Sequence, residues 1–226
     1  VFSNNYLANS GNATTRGAGL FAGGNSYGVM SNCVAVQNTC YHAGGSTRGD
    51  TLGAGVALVS GEWLIVNSIF RNNYAYCNSI DFGRGAGLYL AGGPHIVRNS
   101  LIVSNNVAAG GFSSGVFGDG VGLAAGAQAE LVNCNILNNL GQGVHRPAGA
   151  GSLSLVNCIL WGNGDDVTGS VSLAYCLVED GDQDGVEGCF SEEPYFEDFH
   201  AGDYRLMKRS PCIDAGTNQI WMFTAF

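Results

Sequence analysis

Three carboxylates and one arginine in this sequence have the chemistry that cleavage of a glycan requires. Asp50, Asp81 and Asp119 are the candidate acids, and Arg84 is the candidate base. A glycosidase needs two carboxylates about 5 to 10 Å apart, one of which keeps its proton. None of the four residues lies in a recognisable catalytic motif. We therefore expect no catalysis by this chain, with a glycoside hydrolase or polysaccharide lyase as the alternative.

A short acidic stretch has the spacing of a calcium loop. Asp180, Asp182 and Asp184 alternate along the chain and are followed by Gly185, as in loops whose carboxylates converge on calcium. The twelfth position of such a loop normally carries a bidentate acid, whereas this chain has Ser191 there. We expect that the chain requires no cofactor and that a structural calcium ion is the one candidate. The alternative is a solvated acidic turn.

Five segments repeat along the chain, and each is anchored on an asparagine that precedes Cys or Ser. The anchors are Asn32, Asn67, Asn99, Asn133 and Asn157, and a degenerate sixth copy has Tyr175 in this position. A second asparagine follows each of the five anchors after six residues, at Asn38, Asn73, Asn105, Asn139 and Asn163. Repeats of this kind are typical of stacked architectures in which each unit buries its apolar face against the next.

The apolar residues around each anchor predict a bend. They lie two residues before and three residues after the asparagine, which places them on opposite faces of a regular strand. Asparagine tolerates the left-handed conformation, so a corner at the anchor turns both sets inward. We predict an all-β, right-handed parallel β-helix of about six to seven rungs, with asparagine ladders along the stack and long loops on one side of the N-terminal rungs.

The repeats and the closing segment resemble a known group of proteins. The strings "VNSIF", "VNCIL" and "GAGL", and "GDYRLMKRSPCIDAG" over residues 202–216, are similar to those of bacterial secreted right-handed parallel β-helix repeat proteins. The resemblance implies a secreted or cell-surface location. We expect residues 1–216 to form a single β-helix domain and residues 217–226 a non-repetitive tail. We also expect the chain to be a fragment of a larger protein with appended domains.

Length differences between the repeats fall in one place, between the second asparagine and a Gly-x-Gly pair. Four consecutive repeats carry long insertions there: Tyr6 to Arg16, Thr39 to Leu52, Tyr74 to Arg84 and Val107 to Asp119. Variable loops on a repeat scaffold commonly carry function. Their aromatic and hydrogen-bonding side chains suit a carbohydrate, and the candidates are Tyr41, Tyr74, Tyr76, Phe82, Phe112 and Asp119.

The strands that follow the glycine pairs predict a column of outward side chains. Aligning the repeats gives Phe21, Ala57, Tyr89 and Ala124, with the two rings two rungs apart, about 9.6 Å at a rung spacing of about 4.8 Å. That distance is close to the disaccharide repeat of an extended β-1,4-linked glycan. Arg16 and Arg84 precede their glycine pairs at equal offsets, so we expect them in a second column beside the rings.

The eight cysteines fall into two groups. Cys33, Cys134, Cys158 and Cys176 directly follow the corner position, and we expect them to point inward as a column of small buried thiols. The remaining four lie in the insertions or in the non-repetitive end of the chain. In an oxidising compartment these predict the disulfides Cys40–Cys77 and Cys189–Cys212.

Composition limits the class of partner. With 36 glycines, 12% charged residues and a formal net charge of -9, the chain is a poor match for nucleic acid or anionic lipid. No apolar run approaches the roughly 20 residues that a membrane-spanning helix requires. We expect a monomer whose partner is a polysaccharide, and no nucleic-acid or membrane partner.

These observations favour a non-catalytic carbohydrate-binding module that recognises a neutral plant cell-wall polysaccharide. The chain is similar in fold and size to β-helical xylan-binding modules, which makes xylan the first candidate. A polysaccharide-degrading enzyme and a structural or adhesive passenger are the alternatives.

Overall fold

The computed structural model of the chain describes residues 1–10, 13–43, 49–77, 82–110, 115–149 and 151–219. These residues form 29 strands and no helix, so none of them forms a helix that could cross a membrane. All but the last two strands lie in parallel sheets whose members come from successive repeats. The predicted parallel β-helix is confirmed: the chain is a β-solenoid.

Three sheets form the body of the solenoid. In stacking order, sheet 1 contains β1 (Phe2–Ser3), β6 (Val34–Val36), β11 (Ile69–Arg71), β16 (Leu101–Val103), β21 (Asn135–Leu137), β24 (Ile159–Trp161) and β27 (Leu177–Val178). Sheet 4 contains β4 (Leu20–Ala22), β9 (Val56–Leu58), β14 (Leu88–Leu90), β19 (Val121–Leu123), β22 (Gln142–His145) and β25 (Asp165–Thr168). Sheet 5 contains β5 (Gly28–Ser31), β10 (Trp63–Val66), β15 (His95–Arg98), β20 (Ala129–Val132), β23 (Leu153–Val156) and β26 (Ser172–Ala174).

Two smaller sheets are built from the insertions. Sheet 2 contains β2 (Tyr6–Asn9), β7 (Thr39–His42), β12 (Tyr74–Cys77) and β17 (Asn106–Ala109). Sheet 3 contains β3 (Thr15–Arg16), β8 (Thr51–Leu52), β13 (Phe82–Arg84) and β18 (Gly115–Phe117). The predicted long loops are therefore largely strands, which stack from turn to turn as the body does. We call this pair of sheets the fin.

The number of turns differs slightly from the six to seven rungs predicted. The solenoid has about four full turns, because only turns 1 to 4 have a strand in each of the five parallel sheets. Turns 5 and 6 lack the fin and have three strands each, and β27 begins a further turn. The chain therefore tapers from a broad N-terminal part to a plain C-terminal part.

The asparagine corners are confirmed by backbone geometry. All five anchors have positive φ, from 50° at Asn67 and Asn99 to 55° at Asn157, and Tyr175 in the degenerate copy has 53°. A second left-handed corner falls one residue before each second asparagine, for example at Asn72 and Asn138. Each left-handed residue redirects the strand, which lets both of its neighbours point inward.

The second asparagines form a buried ladder. Asn73 Nδ2 donates to Asn105 Oδ1 at 2.9 Å, and Asn105 Nδ2 donates to Asn139 Oδ1 at 3.1 Å. The same amide of Asn105 also donates to the carbonyl of Phe70 at 3.0 Å. The ladder runs from Asn5 to Asn163 through adjacent turns and bonds the polar groups of each corner. The exposed anchor asparagines are joined in a similar way, because Asn133 Nδ2 donates to Asn99 Oδ1 at 3.1 Å.

This ladder separates two apolar interiors. The body is filled by large side chains, among them Phe70, Leu88 and Ile102, which are buried in one cluster. The fin has its own small cluster, formed by Cys40, Ala54, Ala75, Ala86 and Val107. The side chains in the fin are short, so its two sheets lie close together and bury less apolar area per turn than the body.

An antiparallel hairpin near the C-terminus packs on the outside of sheet 1. It consists of β28 (Phe196–Asp198) and β29 (Asp203–Leu206). Phe196 is buried there together with Val103 and Leu137, two outward residues of sheet 1. The hairpin thus covers an apolar outer face of the solenoid in its C-terminal half.

Candidate functional site

The outer faces of sheets 3 and 4 face each other across an inner corner, which we call the corner groove. Several contacts join the two faces: Tyr89 of sheet 4 interacts with Arg84 of sheet 3, and His145 of sheet 4 stacks on Phe117 of sheet 3, with ring centroids 4.6 Å apart. The left-handed glycines before sheet 4, such as Gly85 with a φ of 60°, produce the sharp corner. The groove runs along the solenoid axis.

The predicted outward column is confirmed for its first three members and corrected for the fourth. In the sheet 4 register, Ala57 pairs with both Phe21 and Tyr89, so the two rings are two turns apart. Tyr89 pairs on its other side with Gly122 rather than Ala124. The alignment was two residues out in turn 4, because the left-handed glycine of that turn is Gly118.

The two rings of this column differ in accessibility. Phe21 is 48% exposed, whereas Tyr89 is only 5% exposed and packs with Leu52 and Ala57. Burial raises the pKa of Tyr89, although the nearby guanidinium of Arg84 acts in the opposite direction. Tyr89 therefore forms the floor of the groove, and Phe21 is the ring of the pair that a ligand can reach.

The predicted arginine column lies beside these rings, on sheet 3. Leu52 pairs with both Arg16 and Arg84, so the guanidinium groups come from turns 1 and 3. Arg84 lies over the ring of Phe82, with its Cζ atom 4.7 Å from the ring centroid. Among the described residues, the Nε atoms of Arg16 and Arg84 are buried and have no hydrogen-bond partner. A ligand hydroxyl could bond to these donors only if the guanidinium groups turn toward it.

His145 is a groove residue that the sequence interpretation did not include. It follows Tyr89 and Gly122 in the sheet 4 column and is mostly buried against Phe117. Burial lowers the pKa of His145, and the positive charge of Arg84 lowers it further. Aligning Gly141-x-Gly143 with the earlier glycine pairs places His145 in this column, so the signal was present in the sequence.

The predicted tyrosine ligands lie on the other side of the fin. Together with Tyr6, they project from the outer face of sheet 2: Tyr41, Tyr74 and Tyr76. We call this surface of four rings the tyrosine face. Tyr41 and Tyr76 stack with ring centroids 4.8 Å apart and an interplanar angle of 9°. One face of each ring is thus covered by its neighbour, which leaves less ring surface for a sugar. These tyrosines do not share a site with Phe21.

The two candidate catalytic carboxylates that the structure describes, Asp119 and Asp50, each accept hydrogen bonds from backbone amides, in different turns. Asp119 is 3% exposed, and its Oδ2 accepts hydrogen bonds from the backbone amides of Val107 at 3.1 Å and Gly141 at 2.9 Å. Burial raises the pKa of Asp119, although these amides act in the opposite direction. Asp119 therefore caps the end of the fin interior.

Asp50 is placed differently from Asp119. It precedes β8 in turn 2, and its Oδ1 accepts a hydrogen bond from the backbone amide of Phe82 at 3.1 Å. Asp119 is in turn 4, two turns or about 9.6 Å further along the axis. Asp81 and Phe112 lie outside the described residues, so their roles remain predictions.

The acidic stretch forms a turn after β27. Asp180 Oδ2 accepts a hydrogen bond from the backbone amide of Asp166 at 3.0 Å, and both Asp182 and Asp184 lie in the exposed part of the turn. Within the described ranges, no three His, Cys, Asp or Glu side chains are grouped so that they could hold a metal ion. The calcium site at Asp180, Asp182 and Asp184 remains a prediction without a geometric argument in its favour.

Neither predicted disulfide is present, because all eight cysteines are free thiols. Cys40 pairs in register with Ala75, and Cys77 pairs with His42, so the two cysteines are displaced along their strands. Cys189 is buried beside Cys176 and Cys212 is not. The predictions of Cys40–Cys77 and Cys189–Cys212 were wrong because the stacking register, which fixes these positions, cannot be read from loop proximity.

The fold and the groove together define a parallel β-solenoid with an aromatic and arginine-lined surface along its axis. No protein-family model matches the chain, no curated protein matches it, and no solved structure matches it. The corner groove is therefore the feature on which a proposed function rests.

Proposed function

We propose that the chain is a non-catalytic polysaccharide-binding module and that the corner groove holds the glycan. We further propose a neutral plant cell-wall polysaccharide, with xylan as the first candidate. The parent would be a secreted or cell-surface bacterial protein, with this module acting as a monomer beside appended domains.

The observation that carries this proposal is the pairing of ring surfaces with unsatisfied donors. The Nε atoms of Arg16 and Arg84 are buried without a partner among the described residues; Arg16 is in the turn of the half-exposed Phe21, and Arg84 lies over the ring of Phe82. A buried donor without a partner costs about 1 to 3 kcal/mol, and a ligand hydroxyl can recover this free energy. Sugars offer both hydroxyl acceptors and apolar C–H faces that stack on rings.

The spacing of the accessible rings suits an extended chain. Phe21 lies in turn 1 and Phe82 in turn 3, so the two rings are about 9.6 Å apart along the axis. A β-1,4-linked glycan running along the groove would present equivalent sugar faces at close to this interval. Tyr89, in the same turn as Phe82, supplies the floor rather than a third stacking surface.

The two candidate carboxylates that the structure describes, Asp50 and Asp119, have different surroundings, which supports a binding role. Of the carboxylates in the described residues, Asp50 lies near Tyr89 and Asp165 lies near His145, which is two turns further along the groove. Asp119 is committed to backbone amides inside the fin. Glycoside hydrolysis needs two carboxyl groups on either side of one bond.

Affinity electrophoresis tests the proposal with xylan, mixed-linkage glucan, mannan and polygalacturonate in the gel. We expect retardation by at least one neutral glycan, at least tenfold weaker for Phe21→Ala and for Arg84→Lys. Tyr27→Ala is the matched control, because Tyr27 is an exposed ring outside the groove. Tyr6→Ala is the control for the tyrosine face.

Three results would contradict the proposal in different ways. Loss of retardation in Tyr6→Ala but not in Phe21→Ala would move the site to the tyrosine face. Release of reducing ends or unsaturated products, abolished by Asp50→Asn, would show an enzyme. Migration unaffected by every glycan would leave a structural or adhesive role.

A further inference from the structure

Four side chains of sheet 3 form one column along the wall of the corner groove. They come from turns 1 to 4 and are, in stacking order, Arg16, Leu52, Arg84 and Phe117. Neighbouring members of the column are one strand spacing apart, about 4.8 Å. Cationic and apolar side chains therefore alternate along this wall.

The two arginines of the column have no counter-charge in the described part of the chain. Neither guanidinium forms an ion pair with a carboxylate of those residues. Asp50 lies near Tyr89, but its Oδ1 accepts a hydrogen bond from the backbone amide of Phe82 at 3.1 Å. An anionic group on a ligand would supply the charge that these arginines lack.

Leu52 marks the place where such an anion would lie. It pairs in register with Arg16 on one side and with Arg84 on the other, so a group over Leu52 is about 4.8 Å along the axis from each arginine backbone. An arginine side chain is longer than this spacing, so both guanidinium groups can turn toward one small anion. Tyr89 interacts electrostatically with Arg84 and with Arg16, which places both charges near the same phenol.

The floor of the groove at this point is apolar. Leu52, Ala57 and Tyr89 are buried and pack in one cluster. Charges attract each other more strongly beside such a surface than in open water, because less water is present to screen them. An anion between the two arginines would thus be held more firmly than at an exposed arginine.

The shape of the guanidinium and the charge of the whole chain limit the class of anion. A guanidinium matches a carboxylate, which it binds through two parallel N–H···O hydrogen bonds. The chain has a formal net charge of -9, so it repels a polymer with a negative charge on every unit. A mostly neutral glycan with occasional uronic acid substituents meets both conditions.

We propose that the corner groove holds a carboxylate of the bound glycan between Arg16 and Arg84, over Leu52. The ligand class is a neutral β-1,4-linked main chain with sparse uronic acid side groups. For a xylan main chain, the side group is a glucuronic acid. This inference rests on the proposed polysaccharide-binding function and adds the chemical group that the groove selects.

The test compares a xylan that carries glucuronic acid with the same polymer after its carboxyl groups have been reduced to alcohols. Isothermal titration calorimetry measures both affinities at about 0.15 M salt, where the Debye length of about 8 Å screens remote acids but not a contact pair. We expect the carboxylated polymer to bind at least about fivefold more tightly. The ratio of the two affinities is the quantity to follow.

The variants separate the charge of the arginines from their shape. Arg16→Gln and Arg84→Gln should each lower the ratio to below about two, because one of the two cations is lost. Arg84→Lys should keep part of the preference, since lysine retains the charge without the paired donors. Arg71→Gln is the matched control, because it removes the same charge from the exposed side of sheet 1 and should leave the ratio unchanged. Circular dichroism checks that each variant folds.

Each other result overturns a defined part of the proposal. Equal affinity for the two polymers would overturn the carboxylate site and leave the polysaccharide-binding function intact, whereas no binding of either polymer would overturn both. A ratio that falls equally in Arg71→Gln would assign the preference to overall charge. Free glucuronate should compete with the carboxylated polymer, and equal competition by inorganic sulfate would show a site for any small anion.

Discussion

Gly85 and Gly87 stand two residues apart and are glycine for different reasons. Gly85 has a φ of 60° in the left-handed region, which only glycine adopts without strain. Gly87 has no such requirement, but a Cβ atom there would lie 2.7 Å from the carbonyl oxygen of Gly120 and 2.8 Å from Nδ2 of Asn105. The second glycine of each pair makes room for the buried asparagine ladder.

Gly87→Ala should therefore destabilise the fold by about 2 to 3 kcal/mol, because the added methyl group overlaps a rigid backbone and a buried amide. Gly24→Ala is the comparison, since Gly24 has a φ of 70° but open space around its Cβ position. We expect it to cost about 1 kcal/mol from backbone strain alone. Equal losses in chemical denaturation of the two variants would show that crowding is unimportant.

Asp166 gives a residue-scale prediction about pH. It ends the asparagine ladder, where its Oδ1 accepts from Asn163 Nδ2 at 2.8 Å and its Oδ2 from the backbone amide of Glu179 at 2.6 Å. Burial, followed by the charges of Asp180 and Glu179, raises its pKa from 3.8 to about 6. The folded chain thus binds this proton more tightly than the unfolded chain, so the stabilisation is complete below about pH 4 and is lost as the pH rises through about 6.

The measurement is urea unfolding of wild type and Asp166→Asn at pH 4, 5, 6 and 7. The difference in unfolding free energy, wild type minus variant, should decrease by about 2 to 3 kcal/mol over this range. Acids remote from Asp166 titrate equally in both proteins, so the difference reports Asp166 together with its coupling to Asp180 and Glu179. Parallel stability curves would mean that Asp166 is ionised normally in the fold.

The asparagine ladder is the element on which both interiors depend. Asn105, in turn 4, accepts from the backbone amide of Asn73 at 3.0 Å and donates to the carbonyl of Phe70, so its side chain bonds two backbone groups of turn 3. Asn105→Ala would leave both groups buried and unsatisfied, at a cost of about 2 to 4 kcal/mol. Asn99→Gly, which removes an exposed corner asparagine but keeps the backbone conformation, should cost under about 1 kcal/mol. Thermal unfolding of the two variants measures this difference.

The sequence predicted the corners and, except in turn 4, the register of the outward column, but not the strands of the fin. The corners at Asn67 and its equivalents could be predicted because the same residue type recurs at each of them and favours one backbone conformation, the left-handed one. Thr15–Arg16 and Thr51–Leu52 are too short to carry a period, and they are strands because neighbouring turns pair with them. The place of Cys189 in the cysteine column was also not predicted, because its turn is shorter than the others. Gly188, with a φ of 75°, stands at the corner instead of asparagine.

At the scale of the whole molecule, the hairpin changes how the turns depend on each other. In a simple solenoid each turn contacts its immediate neighbours, and stability is close to a sum over interfaces. Here Phe196 packs on strands of two turns, while Tyr204 interacts with Ser104 and lies near the charge of Arg71. The hairpin thus joins residues of turns 3 to 6.

Phe196→Ala should destabilise the protein by about 3 to 4 kcal/mol, since the ring is buried and its loss leaves a cavity under the hairpin. Hydrogen exchange should show the loss of protection in the sheet 1 strands that the hairpin covers, β16 and β21. Phe21→Ala is the control, because that ring is half exposed and should cost less than about 1 kcal/mol. A loss of protection confined to the hairpin itself would show that it does not couple the turns.

The groove could be predicted only in part, and for a physical reason. Columns such as Phe21 with Tyr89 follow from the repeat, because register along one sheet depends on spacing alone. Whether a ring is exposed or covered depends on the angle between sheets 3 and 4. That angle is set by the left-handed glycine between them, and the spacing of residues in the sequence does not predict it. Tyr89 was therefore placed in the right column but expected at the surface.

The hairpin also gives this molecule a mechanical polarity. If a solenoid without such a hairpin were pulled by its two ends, turns would detach from both ends with equal ease. Phe196 and its neighbours hold several turns together from the side. Those turns must slide off the hairpin before they can separate from one another. Under load the turns that the hairpin does not contact, including that of Phe21, would yield before the turns that the hairpin joins.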